Sequence, residues 1–310
     1  MNLEKWHKNQ QKTGKQSVNL LTTVLQIVAP VFLLALIGFV WVKRGHEYRV
    51  AFVTQLAMTF SVPCLIFVAL MKAEIDRNAL AATFVAACVA YLAVTAVFTV
   101  VMKVMRLDTR TYLAPLIFGN TGNLGLPLAL FAFGEAGLSY AIIIFAVMAV
   151  YSFSFGVWLV SGGGSLVKVV KEPLVGATLL GALFLYKGWQ TPQWLTNTLE
   201  LVGQMAIPLM LITLGVALAR LKADSFGRAF GLSLFKVLIC VGLSWATGLY
   251  FELEPVALAV LVMQISTPVA VTSYLLAEKY GADAGEVAGL VVVSTLLSVI
   301  TIPITLAFFV

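Results

Sequence analysis

Charge is scarce in this 310-residue sequence: Asp, Glu, Lys and Arg make up 11% of it, against about 25% in an ordinary soluble domain. Apolar and aromatic residues reach 61%, and the mean hydropathy is +0.99. A soluble core cannot absorb that excess, because charged side chains must cover its outside. A soluble enzyme is therefore excluded, and a polytopic membrane protein with no separate soluble domain is expected. Histidine and cysteine are scarce as well. His7 and His46 fall in polar stretches, while Cys64, Cys88 and Cys240 lie singly in apolar runs. Neither a disulfide framework nor a zinc site follows from such spacing, and no metal or cofactor is expected. Acidic residues are missing from the middle of every apolar run: Glu135, Glu252, Glu254 and Glu278 sit at ends or in loops. That argues against midplane carboxylates binding a cation, and against aspartate clusters holding magnesium. With no Ser/His or metal set for an embedded protease, the chain is not expected to be an enzyme.

What is present is apolar sequence in runs. They fall at 20–42, 50–71, 80–102, 112–133, 138–160, 173–187, 197–219, 227–250, 256–277 and 287–309. A spanning helix needs about 20 apolar residues, and lipid offers no partner for an open strand edge. The fold class predicted is all-α: ten membrane helices, the sixth being the shortest. Residues 1–17 form a polar tail with Lys5, Lys8, Lys12 and Lys15. The run after the tail is too long for a signal-peptide core and lacks a small-residue cleavage site, so it reads as the first span.

The net charge of +6 would suggest a nucleic-acid partner in a soluble protein. Here the basic residues lie between spans, where they set orientation, and no nucleic acid is expected. Loops after spans 1, 3, 5, 7 and 9 carry Lys43, Arg44, Arg49, Lys103, Arg106, Arg110, Lys168, Lys171, Arg220, Lys222, Arg228 and Lys279. The opposite side has Lys72, Arg77, Lys187 and the four tail lysines. The positive-inside rule puts the richer side in the cytoplasm and both termini outside the cell (inner or plasma) membrane.

The two halves echo each other. FSVPCLIF at 60–67 parallels MAIPLMLI at 205–212, and GEAG at 134–137 parallels GADAG at 281–285, both about 145 residues apart. A first repeat over 18–160, a cytoplasmic linker over 161–172 and a second repeat over 173–310 follow. Each half has five spans, an odd number, so the second enters the membrane inverted, a signature of secondary transporters. Chance matching of single prolines and glycines is the competing explanation.

The most unusual segment is GNTGNLGLP at 119–127, inside span 4. Gly119, Gly122 and Gly125 loosen the backbone, Pro127 removes a donor, and Asn120 and Asn123 can replace lost backbone partners. Together with Thr121 they predict a broken helix. The matching place in span 9 reads QISTPVAVTS at 264–273, with Ser266, Thr267 and the helix-breaking Pro268. Two broken helices crossing would place half-helix ends around a cavity, where positive N-terminal dipoles can meet a carboxylate. The alternative is tight small-residue packing with polar side chains bonding across helices. Lys236 lies well inside span 8. It either supplies charge to an anion pathway or snorkels toward the cytoplasmic face.

At these residues the sequence resembles the auxin efflux carrier family of membrane transporters, in its bacterial branch. PVFLLALIG at 30–38 with KRG at 43–45 is similar to its first helix, and GNTGNLGLPL at 119–128 to its fourth. AIPLMLITLG at 206–215 resembles the seventh, and Thr267-Pro268 with AEKYG at 277–281 the ninth. The resemblance implies scaffold and transport domains in a ten-helix homodimer, with crossed broken helices 4 and 9 binding organic anions. It implies that Asn120 contacts the substrate carboxylate, that Pro268 is the span 9 crossover proline, and that Lys236 matches a basic residue of helix 8. Gly119 stands where the plant carriers have proline, and their long central loop is missing, so auxin itself and plant-style regulation are not implied. A small mono- or dicarboxylate carried by alternating access fits better. The alternatives are a sodium-coupled symporter resembling the bile acid carriers and a gated channel.

Overall fold

The computed structural model describes residues 3–73, 77–162, 173–221 and 226–309. The linker expected at 161–172 lies outside the described residues from 163 onward, and with it Lys168 and Lys171. In chain order the helices are α1 (Leu3–Lys43), α2 (Val50–Leu56), α3 (Val62–Met71), α4 (Arg77–Met105), α5 (Thr109–Ile117), α6 (Leu126–Tyr151) and α7 (Val157–Ser161). The second half holds α8 (Pro173–Lys187), α9 (Gln193–Gln204), α10 (Ala206–Arg220), α11 (Phe226–Tyr250), α12 (Pro255–Ile265), α13 (Val271–Tyr280) and α14 (Ala284–Leu306). Widened π turns join α2 to α3 (Ala57–Ser61), lead into α6 (Thr121–Gly125) and join α6 to α7 (Ser152–Gly156). The helix α1 begins at Leu3, so the polar tail is helical and continues into the first span.

Among the described residues seven helical runs are long and apolar enough to cross a bilayer: Thr22–Lys43, Val50–Met71, Asn78–Met105, Thr121–Ser161, Gln193–Arg220, Phe226–Tyr250 and Ala284–Leu306. Gly176–Lys187 and Pro255–Ile265 are shorter apolar helices. Against the ten expected, the sixth run yields only the short helix ending at Lys187, the ninth is broken, and parts of the fourth and fifth join in one run. The expected spans over 112–133 and 256–277 are each interrupted, and Thr121–Ser161 contains Gly134, whose φ of 63° and ψ of −155° end one helical course and start another. Among the described residues the one β-type pairing is an isolated antiparallel bridge, Gly119 to Val269.

The helices sort into two groups. In one, α1 runs along α10, which also meets α2, and α3 lies against α8 and α9. In the other, α11 packs on α4, α12 and α14, while α6 packs on α4 and α12. The groups meet where α1 and α10 touch α6 and the 121–125 turn. The α1–α10 contact is a backbone contact: a Cβ at Gly38 would overlap the Ile212 carbonyl oxygen, and one at Gly215 the Ala35 carbonyl oxygen. Small residues allow such approach where lipid removes the hydrophobic drive for helices to associate. Large apolar side chains such as Leu92, Val104, Leu179 and Leu238 point outward, as a lipid-facing surface requires.

The lysine- and arginine-rich end is also a capping layer. Arg110 donates from Nε and Nη2 to the Val160 carbonyl at 3.2 and 2.9 Å, and from Nη2 to the Tyr280 carbonyl at 3.0 Å. Those carbonyls belong to the last turns of α7 and α13, where the helix dipole favours a cation. Arg228 bonds the Tyr112 hydroxyl at 3.1 Å and Glu286 at 3.2 Å. Charges that sequence reasoning credits with orientation therefore also hold helix ends together.

Candidate functional site

The α5 helix stops at Ile117, and α12 stops at Ile265. The chain between α5 and the 121–125 turn is extended at Phe118, whose ψ is 113°, and the approach to α13 is extended at Ala270, whose ψ is 137°. Breaking a helix inside a membrane strands backbone groups that water cannot reach. Here each break satisfies the other. The Asn120 amide donates to the Pro268 carbonyl at 2.7 Å, and the Ala270 amide donates to the Phe118 carbonyl at 3.3 Å. Between these bonds Gly119 faces Val269, and a Cβ on Gly119 would overlap Thr267 Oγ1. Glycine at 119 is thus what close crossing needs. The Val269 amide finds a third partner in Ser294 Oγ of α14, at 3.0 Å.

The remaining polar groups divide into used and unused. Thr267 donates its hydroxyl to the Gln264 carbonyl at 2.7 Å, and Ser266 donates to the Met263 carbonyl at 3.2 Å, so both protons serve the end of α12. Lys236 is fully buried and does not reach the surface: its ammonium donates to the Thr267 carbonyl at 3.1 Å, with Cys240 Sγ at 3.9 Å. By contrast, Asn120 Nδ2, Thr121 Oγ1 and Gln264 Oε1 are buried with no hydrogen-bond partner. Asn123 is half-buried one residue beyond the Gly122 position.

The expected helix breakers play different parts. The break lies at 118–120. Gly122 and Gly125 lie in the π turn, where a Cβ would crowd the Phe145 ring or overlap the Gln264 side-chain amide. Pro127 sits in the first turn of α6, where a missing N–H is tolerated. The structure therefore brings Asn120, Thr267, Pro268 and Lys236 into one bonded cluster, sets Thr121 beside it, and gives Ser266 a structural bond. Sequence reasoning passed over Ser294 and the free acceptor of Gln264. The spacing of Lys236 and Cys240, four apart on one helix face, was a readable signal for their proximity.

A cavity of about 1260 Å³ lies between α3, α9 and α10 on one side and α6 on the other. Ile207 and Pro208 are among its lining residues. Met210, three residues beyond Ile207, approaches Gly122. The α10 helix thus lines the cavity and also touches the 121–125 turn that carries the unpartnered donors.

The family model described as "Membrane transport protein" matches residues 23–167 and 157–306. The chain belongs to this family. It is the auxin efflux carrier type of membrane transport protein that the fourth- and seventh-helix motifs resemble. Similar proteins include an uncharacterized transporter of Methanocaldococcus jannaschii, 26% identical over 201 residues, covering 60% of this chain and 64% of that one. Another is an uncharacterized transporter of Methanothermobacter thermautotrophicus, 30% identical over 192 residues, 60% of this chain and 63% of its own. A third, named "Putative malonate transporter", comes from Rhizobium meliloti and is 26% identical over 203 residues, 60% of this chain and 62% of its own. The chain therefore spans less than two thirds of the length of these relatives.

Proposed function

We propose that this family member is a secondary carrier of small organic anions, mono- or dicarboxylates, working by alternating access around the crossing of the two helix breaks. The observation that carries this reading is the pair of buried, unpartnered donors, Asn120 Nδ2 and Thr121 Oγ1, at the start of a helical course. The first amides of that course have no intrahelical acceptor, and the helix dipole adds positive potential there. Such a donor set suits a carboxylate. Lys236 contributes a cation bonded to the Thr267 carbonyl of the crossing, and the malonate named for one relative is a carboxylate. Asn120, Thr121, Asn123 and Lys236 would meet the substrate, while residues 266–268 frame the crossing. Binding of a panel of mono- and dicarboxylates to purified protein tests the reading. Failure of every carboxylate to bind a folded protein would remove it. Flux with and without sodium decides whether a cation is coupled.

The same reading includes ten crossings as two inverted five-helix repeats in a homodimer. The echoing segments support it through their backbone. Gly134 and Gly281 both adopt positive φ, 63° and 70°, although their ψ values, −155° and 32°, differ. Irregular backbone precedes both Pro63 and Pro208, a π turn over Ala57–Ser61 and a helix junction at Met205. With the arginine-rich end inside, Ser165→Cys should label only from the cytoplasm and Gly188→Cys only from outside, in protein lacking Cys64, Cys88 and Cys240. Outside labelling of position 165 would reverse the orientation.

Lys236→Met keeps the stem and removes the ammonium. Carboxylate binding should weaken severalfold while the protein stays folded and monodisperse. Wild-type affinity in that variant would reduce Lys236 to a tie between α11 and the crossing.

A further inference from the structure

The described lining of the large cavity contains one cation, Lys72, and it is already paired. Its ammonium meets Glu200 Oε1 of α9 across the cavity wall. Lys72 follows the last turn of α3 and closes it, its amide donating to the Val68 carbonyl at 2.9 Å. The negative end of the helix dipole thus favours its charge. The Lys72 and Glu200 side chains are 47% and 33% exposed, so the pair is only partly covered by protein. A second carboxylate, Glu135, lines the same space next to the turn at Gly134.

An anion moving through this cavity toward Asn120 meets two carboxylates and one occupied ammonium. Half-exposed ion pairs contribute little to stability, so a free carboxylate of the same chemistry as Glu200 can take its place. Resting on the proposed carrier function, we propose that Lys72 is a docking cation for the incoming organic carboxylate, and that Glu200 is its built-in competitor. The substrate first exchanges with Glu200 at Lys72 and then passes inward to the donors at the crossing. Glu200 thereby sets how fast free anion loads the cavity.

The test is the association rate of radiolabelled malonate with the purified full chain at low ionic strength, by rapid mixing and filtration, in the wild type, Glu200→Gln, Lys72→Gln and the double variant. Glu200→Gln should raise the association rate about threefold to tenfold, and Lys72→Gln should lower it by a similar factor, with the equilibrium Kd at the crossing little changed. In the Lys72→Gln background, Glu200→Gln should change the rate by less than about twofold, because the two residues act through one contact. Glu200→Asp, which shortens the competing arm, should move the rate in the same direction as Glu200→Gln. An unchanged or lowered association rate in both Glu200 variants overturns the proposal, as does an equal rise with and without Lys72. If the wild type binds malonate and the Glu200 variants do not gain, only the docking role falls. If the folded wild type binds no carboxylate, the carrier reading falls and takes this one with it.

Discussion

Asn120→Ala is expected to weaken carboxylate binding roughly tenfold to a hundredfold, since a hydrogen bond to a charged group is worth about 1.5–3 kcal/mol. Stability should hold, because the side-chain Nδ2 it removes is buried without a hydrogen-bond partner. Truncating a buried, unpaired donor takes away a desolvation penalty rather than a bond. Asn120→Asp should bind worse than Asn120→Ala, because it sets a negative charge against an anionic substrate. Melting temperature in detergent and malonate affinity, measured on the same preparations, separate the two roles. A large drop in melting temperature with near-normal affinity would return Asn120 to helix packing and leave the anion assignment to family membership alone.

Glycine substitutions at the α1–α10 contact should have the largest effect on stability. Alanine is favoured over glycine in a helix by about 1 kcal/mol, so a free helical site should gain from the change. Gly242 of α11 is such a site, with nothing near where a Cβ would be. At Gly215 the new Cβ would overlap the Ala35 carbonyl oxygen, a backbone atom that no rotamer change can move. Overpacking costs about 1–3 kcal/mol, which outweighs the propensity gain. Gly215→Ala should therefore lower the melting temperature, Gly215→Leu should leave little folded protein, and Gly242→Ala should be neutral or stabilising. The same sign at Gly215 and Gly242 would show that helix propensity, not backbone contact, governs both.

The breaks in the two helices were legible because their composition is improbable in a continuous lipid-facing helix: Gly119, Asn120 and Pro127 in one, Thr267 and Pro268 in the other. Their division of labour was not. Pro127 looks like a breaker, yet a proline in a helix's first turn disturbs nothing. Thr267 and Ser266 look like ligands, and their hydroxyls, just past the end of α12, bond that helix's own carbonyls. Lys236 left two readings open because a lysine stem can point toward either the core or the surface. The helix rotation that buries it depends on packing against α4, α12 and α14.

The sequence by itself determined that this chain lives in a membrane and is helical, and which stretches cannot be regular helix. Those conclusions follow from local chemistry: apolar run length, the φ freedom of glycine and the missing donor of proline. Its motifs also marked the family. Only the tertiary structure decided that the breaks satisfy each other across the Gly119–Val269 bridge, leaving Asn120 and Thr121 with donors to spare. Only it joined Lys72 to Glu200, 128 residues apart in the chain. Hydrogen-bond satisfaction is a property of pairs, and which pairs form is settled when distant segments pack, not by either segment alone.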